Sequence, residues 1–491
     1  MTNPLLEQHE LPPFDRIEPA HMVPAIDQII ADNRAGIDQL IESGERNWDG
    51  FVHPLEELED RLRQAWSPIS HLKSVMSSDE IREAYNKGLS MLTEYQTELG
   101  QNRDLFDAYD QLKKSDDYYN LTAAQKKVID NAIRDFRLSG VDLPEGDKAR
   151  FRELSQRVAE LSSKFNENVL DATMGWTKLI TDKQELKGVP ESTLSLLEQT
   201  AEQRGEEGWM LTLDYPCYVP VMTYCDNAEL RKELYTAFTT RASDQGPDAG
   251  KWDNGPIMQE ILEVRKEMAG LLGFANYAEL SLATKMAEAP AQVMSFLDEL
   301  AAKAKPVADS EFAELSEFAR TEHGITELEP WDVGYYAEKL KQQCFEVSEE
   351  ALRPWFPVPK VFAGMFEVVQ RLYGIEIREA DDMPVWHPDV TTWNVWRDGT
   401  QLARFYLDIY ARTGKQGGAW MDECRVRRVT ADGDLQLPVA YLTCNFSPPV
   451  GDTPSLLTHS EVVTLFHEFG HGLHHMLTQV DCADVSGING V

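Results

Sequence analysis

Phe151, Leu154, Val158, Leu161, Phe165 and Val169 recur at spacings of three and four. On a cylinder of 3.6 residues per turn they form one apolar stripe, with charged residues on the other side. A long amphipathic helix is the structure that satisfies this pattern, and comparable periodicity runs through most of the chain before Trp209. Thr122 and Gln125 mark the start of another helix: the hydroxyl accepts a free backbone N–H while the amide reaches back. Pro12, Pro13, Pro19 and Pro24 predict an extended leader ahead of the first helix, because proline is excluded from helix interiors. The fold class that follows is mainly α.

Two segments interrupt the helical pattern. Residues 209–223 combine β-branched and aromatic residues with Pro216, which predicts a short strand or extended crossing. Residues 243–256 (SDQGPDAGKWDNGP) read as a linker or an ordered surface loop. Beyond residue 385 the texture changes. Trp393 to Trp396, the pair Asp398-Gly399, and Leu402 to Tyr410 form a hairpin signature, since Asp-Gly supplies the positive φ angles of a tight turn. A second pair, Cys424 to Thr430 and Pro438 to Phe446, flanks Ala431-Asp-Gly-Asp434. The chain divides into a helical region 1–205, a second helical region 206–384, and a region 385–491 where a small antiparallel sheet precedes the last helix.

Composition narrows the function. At 491 residues the chain exceeds what one compact core holds. Its 83 acidic and 47 basic residues give a net charge of −36, which repels phosphate backbones and anionic lipid heads. Nucleic acid and membrane surfaces are therefore not expected as partners, and no stretch approaches the ~18 apolar residues of a membrane span. The first residues, MTNPLLEQHELPPFDRIEP, have neither the basic nor the apolar part of a secretory signal. The six cysteines are scattered without a C-x-x-C pair, as expected of reduced small hydrophobes in the cytoplasm.

The last helix carries the chemistry. Thr458 and Glu461 form a capping box, and Val462, Leu465, Phe466, Phe469, Leu473 and Met476 supply an apolar stripe. On the same helix stands His467-Glu468-Phe469-Gly470-His471, an H-E-x-x-H motif. Spacing of four puts both imidazoles on one face, within reach of one Zn²⁺ at ~2.0–2.1 Å. Glu468 is rotated by about a quarter turn, where it can act as general base toward a water that zinc acidifies. Gly470 and Gly472 are unfavourable inside a helix and predict close approach of another backbone, such as a sheet strand.

The third ligand is less defined. The H-E-x-x-H-x-x-G-x-x-H pattern fails, because position 474 is His and position 477 is Leu. A downstream glutamate is the alternative, yet between Gly472 and Val491 only Asp481 and Asp484 are acidic. His474 lies on the ligand face but ~10 Å along the axis from His467, so a ligand role and a cleft-lining role both stay open.

Leu11-Pro-Pro-Phe14, Leu170-Asp-Ala-Thr-Met-Gly-Trp176, Arg241-Ala-Ser-Asp-Gln-Gly-Pro247, Trp386-His-Pro-Asp389, Gly417-Gly-Ala-Trp-Met421 and the run from His467 to Met476 together resemble the thimet-oligopeptidase family of zinc metallopeptidases. The resemblance implies a two-lobed helical shell around a deep channel, with the zinc helix on its floor. It implies one zinc per chain, held by His467 and His471, and hydrolysis of short unstructured peptides with Glu468 as general base. It also implies a third ligand, a glutamate downstream of His471. The sequence ends at Val491 without one, so a C-terminally truncated chain is the expectation.

Gly417, Gly418 and Ala419 could pair their bare backbone with a substrate strand, or simply form a bend in the sheet. His387, between Trp386 and Pro388, reads as structural. The leading function is a cytoplasmic, monomeric zinc endopeptidase acting on oligopeptides. The alternatives are a non-catalytic peptide-binding scaffold and an inactive fragment lacking the third ligand.

Overall fold

The computed structural model describes residues 3–451 and 453–490. Helices dominate among them, accompanied by nine short strands. The chain forms two compact units. One comprises residues 1–163, 362–444 and 463–491; the other comprises 164–361 and 445–462. These units cut across the consecutive segments 1–205, 206–384 and 385–491, because composition follows the order of elements along the chain whereas packing joins whatever meets in space.

The helix Glu145–Gly175 carries the stripe read from sequence, with Phe151, Leu154 and Leu161 buried. In the unit containing residues 164–361, β1 (Thr177–Ile180) and β2 (Trp209–Thr212) pair antiparallel. They pack with the following helices around Leu194, Leu197, Leu211, Val221 and Leu234. Only the first part of 209–223 is a strand. Tyr215–Tyr224 is a helix, with Pro216 in its first turn, where a missing N–H costs no hydrogen bond. Proline was thus a helix-start signal rather than evidence of extended chain. The same correction applies to the leader: Pro19 and Pro24 both lie in the helix Pro19–Ser43, Pro19 at its start. Residues 243–254 form successive turns up to the helix Gly255–Leu271, an ordered surface loop.

In the other unit the helices Pro19–Ser43, His53–Val75, Asp79–Gly100, Arg103–Lys114 and Ala123–Leu138 share one core with the sheet. Ile26, Ile69, Leu105 and Ile129 belong to it, as do Tyr406 and Tyr441. The capping box at Thr122 is formed, with Gln125 N donating to Thr122 Oγ1 at 3.3 Å. The sheet contains β3 (Glu376–Glu379), β4 (Thr391–Arg397), β5 (Thr400–Tyr410), β6 (Trp420–Arg425) and β9 (Val439–Phe446), in the order β3-β4-β5-β9-β6. β7 (Arg428–Val429) and β8 (Leu435–Gln436) form a separate pair around the second turn. Asp398 and Gly399 have φ of 51° and 80°, the tight turn their identities demand between β4 and β5. All six cysteines are free, and only Cys344 is exposed. Among the described residues no helix is long and apolar enough to cross a membrane.

Candidate metal centre

The helix His459–Met476 begins at the predicted capping box. Thr458 N donates to Glu461 Oε2 at 2.7 Å, and Glu461 N donates to Thr458 Oγ1 at 3.1 Å. Its buried face is Leu465, Glu468, Phe469, Gly472, His475 and Met476. That face is rotated from the predicted stripe, since Phe466 is exposed and Leu473 half-buried. Polar Glu468 and His475 occupy positions that an apolar count skips. Phe469 meets the edge of Phe405 on β5 at 5.5 Å between ring centroids. The two glycines differ. A Cβ on Gly472 would meet Leu442 Cδ2 of β9 at 3.1 Å, so a strand approaches there through a side chain. A Cβ on Gly470 would meet nothing within 4 Å, so no neighbour explains that glycine.

His467 and His471 are exposed, and their Nε2 atoms lie 3.2 Å apart with the rings nearly perpendicular at 86°. Two ligands at ~2.0–2.1 Å from a tetrahedral zinc would be separated by about 3.3 Å. The helix therefore sets the two imidazoles at the spacing of a shared metal. Glu468, between them in sequence, is 8% exposed. His474 is exposed, and among the described residues no third His, Cys, Asp or Glu completes a metal-binding group with the pair. Imidazole nitrogens with an adjacent carboxylate suit zinc, so the donors present fit that ion as far as they go.

Gly417 and Gly418 form a bend and Ala419 leads into β6, one of the two edge strands of the five-stranded sheet. The approach to this bend is pinned from below. Lys415, fully buried, donates its Nζ to Asp408 Oδ1 at 2.7 Å and to the carbonyls of Asp408 and Tyr410 at 2.9 and 2.8 Å. Arg412 grips both oxygens of Asp408 at 2.6 Å. Burial alone would raise the Asp408 carboxyl, but the Arg412 hydrogen bonds and the Lys415 charge pull it down to about 2. Burial pushes Lys415 to about 8 despite Asp408. His387 is a turn residue: its Nδ1 accepts from Asp389 N at 3.3 Å.

Sequence reasoning missed His475. Its ring is wholly buried, and Nε2 lies 2.9 Å from the carbonyl of Arg425 at the end of β6. A carbonyl can only accept, so Nε2 carries the proton. The available signal was helical phase: 475 falls seven residues after Glu468 and three after Gly472, on the buried side.

Residues 221–491 match the model for peptidase family M3, and residues 26–148 match the N-terminal domain model of neurolysin and thimet oligopeptidase. Oligopeptidase A of Salmonella typhimurium is 54% identical over 493 aligned residues, which span 100% of this chain and 72% of that protein. A probable cytosolic oligopeptidase A of Arabidopsis thaliana is 40% identical over 506, spanning 100% of this chain and 71% of that one. A solved structure of PZ peptidase A with an inhibitor superposes with a TM-score of 0.52 over 94% of this chain and 64% of that chain; at 14% identity this speaks for the fold alone. With a family model over more than half its length and a relative this similar, the chain belongs to peptidase family M3 and is a metallo-oligopeptidase.

Proposed function

We propose that the chain cleaves short, unstructured peptides at one zinc ion held by His467 and His471, with Glu468 as general base. The observation that carries this reading is the 3.2 Å separation of the two Nε2 atoms, one helical turn apart. When bound, zinc supplies Lewis-acid polarisation of a carbonyl and lowers the pKa of water toward ~7. Glu468 then takes a proton from the attacking water and delivers it to the leaving amine. Its place next to His467 on the same helix, at 8% exposure, supports that role.

The bend at Gly417-Gly418-Ala419 opens onto edge strand β6, which supports pairing with an extended peptide. Such pairing favours extended substrates, since most strands of a folded protein already have their backbone hydrogen bonds filled. The two-lobed shell and its channel rest on the family resemblance. Reduced cysteines and the cytosolic name of one relative favour a cytoplasmic site of action. The net charge of −36 favours neutral or cationic peptides over nucleic acid.

The two-donor set favours a second reading, a peptide binder that holds metal weakly and does not turn over. Zinc content and cleavage of a quenched peptide separate the two. The enzyme reading expects zinc-dependent cleavage that Glu468→Gln reduces by several orders of magnitude without releasing the metal. Unchanged turnover in that variant would refute the assigned base, and labile zinc with no cleavage would favour the binder.

A further inference from the structure

A cavity of about 660 Å³ opens between the N-terminal leader, the helix His53–Val75 and the β7–β8 turn. It lies within the ~300–1,000 Å³ of small-molecule sites, and neither His467, Glu468 nor His471 lines it. Three arginines stand in its wall: Arg61, which pairs with Asp32 at 2.9 Å, and two buried ones, Arg425 at 5% and Arg428 at 3% exposure. Arg428 is neutralised: Nη2 lies 2.6 Å from Glu57 Oε2, and Nε lies 3.2 Å from Asp60 Oδ2. Arg425 is not. Its Nη1 donates to the Cys424 carbonyl at 2.9 Å, while Nε has no hydrogen-bond partner among the described residues. Among the described residues no carboxylate forms an ion pair with it.

A buried guanidinium without a counter-charge is costly, and its planar donor fork matches a carboxylate. The β7–β8 turn contributes the opposite sign: Asp432 and Asp434 line the same cavity and are exposed. Neither is ion-paired among the described residues. An uncompensated cation deep in the wall and two anions toward solvent call for a ligand with both charges. We propose that this cavity binds a small zwitterion, a free α-amino acid or short peptide, with its α-carboxylate on Arg425 and its ammonium toward Asp432 and Asp434. The same Arg425 offers its carbonyl to His475, so the site is hydrogen-bonded to the helix bearing His467 and His471. Peptide hydrolysis releases zwitterions of this class; that connection alone rests on the peptidase reading.

The test titrates the metal-free protein and its Glu468→Gln variant by calorimetry with alanine, alanyl-alanine, N-acetylalanine and acetate. Saturable binding of alanine or alanyl-alanine is expected in both proteins, with the two monoacids at least ~10-fold weaker, because they lack the ammonium. The ratio of alanine to alanyl-alanine affinity decides between amino acid and peptide. Arg425→Gln should weaken the zwitterion at least ~10-fold. The exposed pair Asp432→Asn and Asp434→Asn should weaken the zwitterion but leave acetate unchanged, which decides the matter even if Arg425→Gln fails to fold. Binding indifferent to these substitutions, or no saturation, would overturn the proposal. None of those results would touch zinc-dependent cleavage, so failure here is distinct from failure of the peptidase reading.

Discussion

His475 donates its Nε2 proton to the Arg425 carbonyl at 2.9 Å, fastening the last turn of the helix that bears His467 and His471 to the end of β6. The ring is wholly buried, and Gly487, at φ of 57°, approaches so closely that a Cβ there would sit 3.0 Å from His475 Nδ1. His475→Ala leaves a buried carbonyl unsatisfied and opens a void. We expect a loss of about 2–4 kcal/mol in urea denaturation, together with weaker zinc retention, because His471 lies one turn away. A variant as stable as the parent would show that this bond does not hold the helix.

The proposed metal ligands are separable by substitution. His467→Ala or His471→Ala should abolish stoichiometric zinc in elemental analysis, since each removes half of the converging pair. His474→Ala should leave zinc content intact. If His474→Ala alone empties the site, a third imidazole must be recruited by a bend in the helix.

Gly470 and Gly472 should respond oppositely to alanine. Gly470 faces open space, so Gly470→Ala gains helix propensity and should stabilise by about 0.5–1 kcal/mol. At Gly472 the new Cβ would press on Leu442 Cδ2 at 3.1 Å, and the repacking should cancel that gain or reverse it. Thermal melts of the two variants, side by side, check the difference.

Local rules made much of the fold legible. The stripe from Phe151 gave the helix Glu145–Gly175, Thr122 and Thr458 began helices as capping boxes, and Asp398-Gly399 turned the β4–β5 hairpin. Each depends on residues within a few positions of one another. H-E-x-x-H was legible for the same reason, being a geometry of one helix. Pro216 misled because proline marks both a helix start and a strand break, and only the neighbouring structure distinguishes them. His475 and Arg425 were invisible because their roles arise where β6 meets the helix His459–Met476. The cavity brings the leader, a helix and the β7–β8 turn together from distant parts of the chain. No periodicity reports such meetings.

His71 is buried in an aromatic box, stacked on Tyr441 at 3.9 Å and edge-on to Trp386 at 4.2 Å, with no hydrogen-bond partner on either ring nitrogen among the described residues. Burial pushes its pKa down from the ordinary 6.5 to about 3; Asp408 opposes the shift, and Lys415 and Arg412 add to it. Between those two values the unfolded chain binds a proton that the folded chain refuses. Stability from this group is therefore full above pH 6.5 and falls as the pH drops toward 3, by on the order of 3–5 kcal/mol. Asp408 adds a second loss at lower pH, because its folded carboxyl near 2 lies below the unfolded 3.8. His71→Phe keeps the aromatic packing and removes the first of these losses. Its acid-unfolding midpoint, followed by near-ultraviolet circular dichroism, should move to lower pH while stability at pH 8 changes little. An unchanged midpoint would mean that another group, rather than His71, sets the chain's sensitivity to acid.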